Sequence, residues 1–211
     1  AGAGRRDRGG RGMRGWPTRD LVTVAVFGAL WGTAEMSLGA LLHALGLPFS
    51  GLAMTAAGMM VALTGYRFVP RRGAVLSIAA VTALLKAFSL GSIVLSPMLA
   101  ILVEALLAET GLALAGGRPR RVALALAGAL ATLWVPVHPF VSQGLIAGEG
   151  MVEIYRRLLA AAARLLHLDP AAIPLVVGAW LLLHAAAGAA AGALAADLGR
   201  QLSRRLRAGE A

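Results

Sequence analysis

Six long apolar runs dominate the chain, at about 21–45, 51–68, 73–95, 97–115, 122–146 and 171–196. Most approach the ~20 residues with which an α-helix crosses a bilayer. Lipid offers no partner to backbone N–H and C=O groups, so a run of this length pairs them internally as a helix. Of the 211 residues, 58% are hydrophobic and 14% charged, whereas a soluble domain carries about 25% charged residues. The expected class is therefore all-α and polytopic, with six transmembrane helices. There is no cysteine, hence no disulfide framework and no thiol chemistry.

The breaks between runs have their own chemistry. "GLPFSG" separates the first two, "RFVPRRG" the second and third, and "GGRPRR" the fourth and fifth. Ser96-Pro97 reads as a helix start, with Ser as N-cap and Pro at the first helical position. Asp169-Pro170 repeats the device before the last run.

A net charge of +10 raises the question of nucleic acid, and the placement of the charges argues against it. Arg5, Arg6, Arg8, Arg11, Arg14 and Arg19 precede the first run; Arg67, Arg71 and Arg72 follow the second; Arg118, Arg120 and Arg121 follow the fourth; Arg200, Arg204, Arg205 and Arg207 follow the sixth. That places 16 of 20 basic residues on one side of an alternating chain, against Arg156, Arg157 and Arg164 on the other and Lys86 within a run. The positive-inside rule then predicts six spans with both termini in the cytoplasm.

Residues 1–19 are Gly/Arg-rich without apolar periodicity and read as a disordered basic tail. Residues 20–200 read as the six-helix domain and 201–211 as a basic cytoplasmic end. Arg5-Arg6 lacks the apolar region that a twin-arginine signal needs directly behind it. Residues 150–168 differ from the spans: Glu153 and Arg157 are i,i+4 partners on one face, and leucines fill the other. This predicts an amphipathic helix lying in the outer interface, either as a lid or as a connection.

A charge at the bilayer centre costs about 2.5–3.5 kcal/mol on insertion scales. Glu35, Lys86 and Glu104 therefore require a reason. At about 1.5 Å per residue, all three fall in one layer just outside the midplane. They form either the floor of a solute pocket or a structural ion-pair set in which Lys86 neutralises one or both acids. Glu109 is deeper and about 140° round its helix from Glu104, so it stands outside this layer.

The fifth run ends in "LWVPVHPFVSQG". Pro136 and Pro139 remove backbone donors and predict a broken helix, which membranes tolerate where it lines a cavity. Trp134 and His138 share a face at i,i+4, with Gln143 further out. Such a set suits a flat, heteroatom-rich ligand; an interfacial Trp beside a solvated His is the alternative. His43 and His184 are isolated, and no spacing predicts a metal site. Ala25, Ala29 and Gly32 form a small-residue stripe, and Gly188 and Gly192 a GxxxG; both permit close helix approach. The chain has no P-loop, GxSxG or HExxH motif, so ATP-driven transport would need separate subunits. No cofactor and no enzymatic activity are expected.

The size, the six runs and the stretch "AVFGALWG" resemble the substrate-binding S components of energy-coupling factor (ECF) vitamin transporters. Ala25-x-x-x-Ala29 is similar to the AxxxA motif through which those subunits dock on a transmembrane coupling subunit. "RRGAVLSIAAVTALLK" and "SPMLAILVEALLAE" read like the family's third and fourth helices. The resemblance implies uptake of a vitamin or precursor, with one coupling subunit and two ATPases as partners. It places Glu104, Trp134, His138 and Gln143 at the solute, with "HALGLPFS" as a gate. Glu35 and Lys86 rest on depth alone. The rival readings are a membrane scaffold or assembly protein and, last, an intramembrane enzyme using Glu35 or Glu104 as base.

Overall fold

The computed structural model describes residues 15–45, 49–88, 95–142, 150, 153, 157 and 173–209. Every regular element among them is a helix: α1 (Thr18–Ala44), α2 (Ser50–Phe68), α3 (Ala74–Ala87), α4 (Leu95–Leu114), α5 (Arg121–Thr132), α6 (His138–Val141) and α7 (Ile173–Gly209). Gln143, Arg156, Arg164, Asp169-Pro170 and residues 1–14 of the tail lie outside the described residues, as does most of 150–168. Glu153 and Arg157 are described, and their charged groups pair at 3.7 Å across one helical turn.

Several boundaries differ from the sequence expectation. α4 begins at Leu95, one residue before the expected cap, so Ser96 and Pro97 both sit in its first turn. The first turn has no intrahelical acceptor for its N–H groups, so Pro97 costs nothing there. α3 ends at Ala87 rather than near 95. α5 ends at Thr132, four residues before Pro136; hydrogen-bonded turns carry the chain to α6, so the fifth run is broken where its prolines remove donors. α7 does not stop near 196 but continues through the basic C-terminal segment to Gly209, because nothing in "DLGRQLSRRLRAG" breaks a helix before its end.

Glycine does break the chain between α4 and α5. Gly116, at φ 83°, donates to the Ala113 carbonyl at 3.0 Å, and Gly117 donates to the Leu112 carbonyl at 2.7 Å. This is the Schellman arrangement, in which a residue without Cβ takes the left-handed position and the last carbonyls are satisfied.

Among the described residues, three segments are long and apolar enough to cross a membrane: Thr18–Gly39, Leu95–Leu114 and Pro174–Gly209. α3 and α5 are apolar but have 14 and 12 residues, about 21 and 18 Å of helix against a hydrocarbon core of about 30 Å. The outward surface is apolar as well. Leu21, Val22, Val26 and Leu30 on α1, and Leu175 and Leu182 on α7, are all exposed. Soluble monomers rarely show such a continuous apolar face. These features mark a membrane protein.

In the bundle α1 packs on α3, α3 on α4, α4 on α5 and α5 on α7, while α2 closes the circle between α7 and α1. Trp31, Met59, Leu63, Ile78, Leu112 and Leu124 are fully buried at its centre. The GxxxG of α7 works against α5: a methyl at Gly188 would fall on the Gly128 carbonyl and the Thr132 hydroxyl, and one at Gly192 on the Leu124 carbonyl. Close backbone contact replaces the hydrophobic drive that helices lack in lipid.

One end of the bundle is tied by polar contacts. Arg71 pairs with Asp20 at 3.0 Å, Arg121 with Asp197 at 3.5 Å, and the Tyr66 hydroxyl donates to the Gly117 carbonyl at 2.8 Å. The start of α1, both helix-to-helix turns and α7 beyond residue 196 therefore share this basic end. The N-terminus of α2, the start of α4, and α6 lie at the opposite end.

Candidate functional site

The polar groups within the apolar runs fall into two connected sets. The first is the ionisable layer. Glu104, on α4, is only 6% exposed, and the Thr55 hydroxyl of α2 donates to its Oε1 at 2.8 Å. Lys86, near the end of α3, pairs with Glu35 of α1: Nζ lies 3.5 Å from Glu35 Oε2 and donates at 3.4 Å to the Glu35 carbonyl. Glu35 is in turn within Coulombic reach of Glu104. Lys86 reaches over Gly39, where a methyl would stand 4.0 Å from Nζ and 3.9 Å from Met54 Cε, next to Thr55 in sequence. Glu35, Lys86 and Glu104, from three helices, thus form one layer, with Thr55 contributed by the fourth. Among the described residues the acidic partner of Lys86 is Glu35. Such a layer joins four helices and leaves the Glu104 carboxyl held by a hydroxyl rather than by a cation.

The second set lies above it at the opposite end from the arginines. The rings of Trp134 and His138 meet edge-to-face with centroids 6.0 Å apart. His138 Nε2 is 3.1 Å from the Ser96 hydroxyl and 3.3 Å from the Ser96 carbonyl. The broken end of the fifth run is therefore fastened to the first turn of α4. It also abuts α2, since a methyl at Gly51 would stand 3.4 Å from Val135. Trp134 Nε1 is buried without a hydrogen-bond partner among the described residues. An unpaired donor of this kind costs about 1–3 kcal/mol, so the site carries an unmet demand for an acceptor.

A third helix reaches the same end. His184 of α7 is 1% exposed; its Nδ1 is 2.8 Å from the Trp180 carbonyl, and its ring packs on Trp180 and faces Phe49 at 6.5 Å. Phe49 caps α2 with φ 63°, a conformation a bulky residue rarely adopts. The Thr132 hydroxyl donates to the His184 carbonyl at 2.7 Å and so ties α5 to α7.

The two sets are aligned along α2 and α4. Thr55 is one turn below Gly51, about 6 Å, and Glu104 is eight residues below Ser96, about 12 Å. The imidazole, fastened at Ser96, and the indole beside it therefore belong to a level about 12 Å further along α4 than the Glu104 backbone, toward the end of the bundle away from the arginines.

The small-residue stripe divides. Ala25 and Ala29 are exposed on the outer face of α1. Gly32 is buried, and a methyl there would collide with Leu85, so this residue serves the α1–α3 contact rather than an outside partner. Gly28 does the same one turn below, against Val81. Glu109, outside the layer as expected, accepts a hydrogen bond from the Val75 N–H at 2.9 Å and so satisfies a donor in the first turn of α3.

Sequence reasoning passed over Thr55 and Trp180, and named Phe49 only within the stretches "GLPFSG" and "HALGLPFS". A lone hydroxyl in an apolar run, as in "AMTAAG", was the available signal for Thr55. No metal-binding group of His, Cys, Asp or Glu occurs among the described residues. No family model matches this chain, and comparison with curated proteins and with solved structures gives no match.

Proposed function

We propose that this chain is the solute-binding subunit of an ECF-type importer, which captures a vitamin-like molecule from outside and works with a coupling subunit and two ATPases. The observation that carries the reading is a pair of polar sets at two levels of one bundle: a buried, hydroxyl-held Glu104 on α4 and, toward the end away from the arginines, an imidazole fixed by Ser96 of α4 beside an indole whose N–H has no acceptor among the described residues. A planar, heteroatom-rich solute has the acceptor, the stacking face and the donor that these three groups call for. Gln143 joins the set by its place in the sequence. Glu35 and Lys86 support the floor and hold the layer to α1 and α3.

The proposed topology has six membrane segments and both termini in the cytoplasm. It rests on the arginine bias and on the shared basic end of the bundle. In this frame α5 crosses with help from the turns and α6 that follow it. Ala25 and Ala29 present the coupling-subunit contact to the lipid side of α1. The test is affinity purification of the full chain from its own membrane. Coelution of a polytopic coupling protein and two ATPases is expected; a chain recovered alone at native expression level would count against the reading.

A scaffold reading draws on one observation, that Glu35 and Lys86 satisfy each other. It predicts that Lys86→Met with Glu104→Gln leaves the protein's physiological output unchanged.

A further inference from the structure

The basic end of the bundle holds a second site. An open groove of about 500 Å³ is lined by Arg67, Arg200, Ser203, Arg204 and Arg207. Four guanidinium groups converge on it from two helices. Arg67 projects from the last turn of α2, donates an N–H to the Pro119 carbonyl at 3.0 Å, and lies against Gly199 of α7, where a methyl would collide with its side chain. Its Nε is buried and has no hydrogen-bond partner among the described residues. The other three arginines climb the final turns of α7. Among the described residues the carboxylate paired at this end of α7 is Asp197, and it is shared between Arg200 and Arg121. Arg67 and Arg200 are close enough to repel each other.

Like charges gathered in a groove, with one buried N–H unpaired, are stabilised by an anion that accepts several hydrogen bonds at once. Guanidinium forks match the oxygens of a phosphate group better than a single carboxylate, and they remain charged at any physiological pH. The level of the groove agrees. α7 has 37 residues, about 55 Å of helix, and its final turns extend past a hydrocarbon core of about 30 Å. Arg67, at the end of α2, marks the same boundary. We propose that this groove is a binding site for a phosphate-bearing group, supplied either by an anionic lipid headgroup or by a free phosphate. The inference stands apart from the solute site, which lies at the opposite end of the bundle.

Native mass spectrometry of the full chain in mild detergent tests it, with phosphatidic acid, phosphatidylcholine and inorganic phosphate as probes. One phosphatidic acid is expected per chain, bound at least about tenfold more tightly than phosphatidylcholine, in line with charge-assisted hydrogen bonds of about 1.5–3 kcal/mol. Arg204→Gln with Arg207→Gln lowers that affinity by about tenfold or more. Both side chains are exposed, so the fold survives. Arg118→Gln with Arg205→Gln removes equal charge from exposed positions off the groove and changes binding by less than about twofold. Competition by millimolar inorganic phosphate assigns the site to free phosphate, and resistance to it assigns the site to the headgroup. Equal binding of the two lipids, or an equal loss in the off-groove variant, overturns the proposal.

Discussion

The hydroxyl of Thr55 donates to Glu104 Oε1 across 2.8 Å and joins α2 to α4 in the buried interior. Both partners are almost fully enclosed, at 4% and 6% exposure. Thr55→Val deprives the carboxyl of its donor and is expected to cost about 1–3 kcal/mol. Thr55→Val with Glu104→Leu removes both polar groups and should recover most of that loss. Thermal unfolding in detergent measures both. If the double variant is no more stable than Thr55→Val, the pair is not the source of the loss.

The Lys86–Glu35 pair joins α3 to α1 with side chains 18% and 13% exposed. Lys86→Met leaves Glu35 without its cation. The expected cost is about 1–3 kcal/mol, between the ranges for exposed and fully buried pairs. Adding Glu35→Gln should return part of it. Chemical denaturation of the three variants gives the coupling energy, and a coupling near zero would show that the two groups act separately.

At the α5–α7 contact there is no room for a side chain on Gly188. Gly188→Val forces the helices apart and is expected to destabilise by about 1–3 kcal/mol or more. Gly178, which has nothing near it, provides the control: Gly178→Ala at an open position should be neutral or slightly stabilising. A thermal shift of equal size in both variants would refute the close packing of these helices.

Ala25→Trp places a bulky ring on the exposed face of α1. Exposed substitutions of this sort usually shift stability by no more than about 0.5 kcal/mol. Solute binding by the isolated chain should persist, while uptake in cells is lost. If solute binding is lost with the fold intact, the docking assignment to Ala25 and Ala29 is wrong.

Much of this architecture is legible in the sequence because lipid leaves few choices. The apolar runs become helices, Gly116-Gly117 ends one of them, and the prolines break another. The layer of Glu35, Lys86 and Glu104 follows from counting residues at a fixed rise. Pairing within the layer does not. Lys86 meets Glu35 rather than Glu104 because α1 lies beside α3, and neighbour order among apolar helices leaves no trace in composition. The same cause hid Thr55, whose value depends on which helix faces Glu104. It also explains Gly32, which shares a stripe with Ala25 and Ala29 yet turns toward Leu85. The continuation of α7 to Gly209 was masked by its change from alanine to arginine, which alters the surroundings of a helix without ending it.

The most direct test concerns the Trp134 N–H, which has no acceptor among the described residues. Native mass spectrometry of the full chain, purified in mild detergent from its own membrane, is predicted to find one small molecule per chain. Trp134→Phe should keep the thermal stability, since it removes a buried unpaired donor, and should weaken retention of that molecule by about tenfold. A wild-type chain that carries lipid alone, or one that retains its small molecule equally well with Phe at 134, would contradict the account.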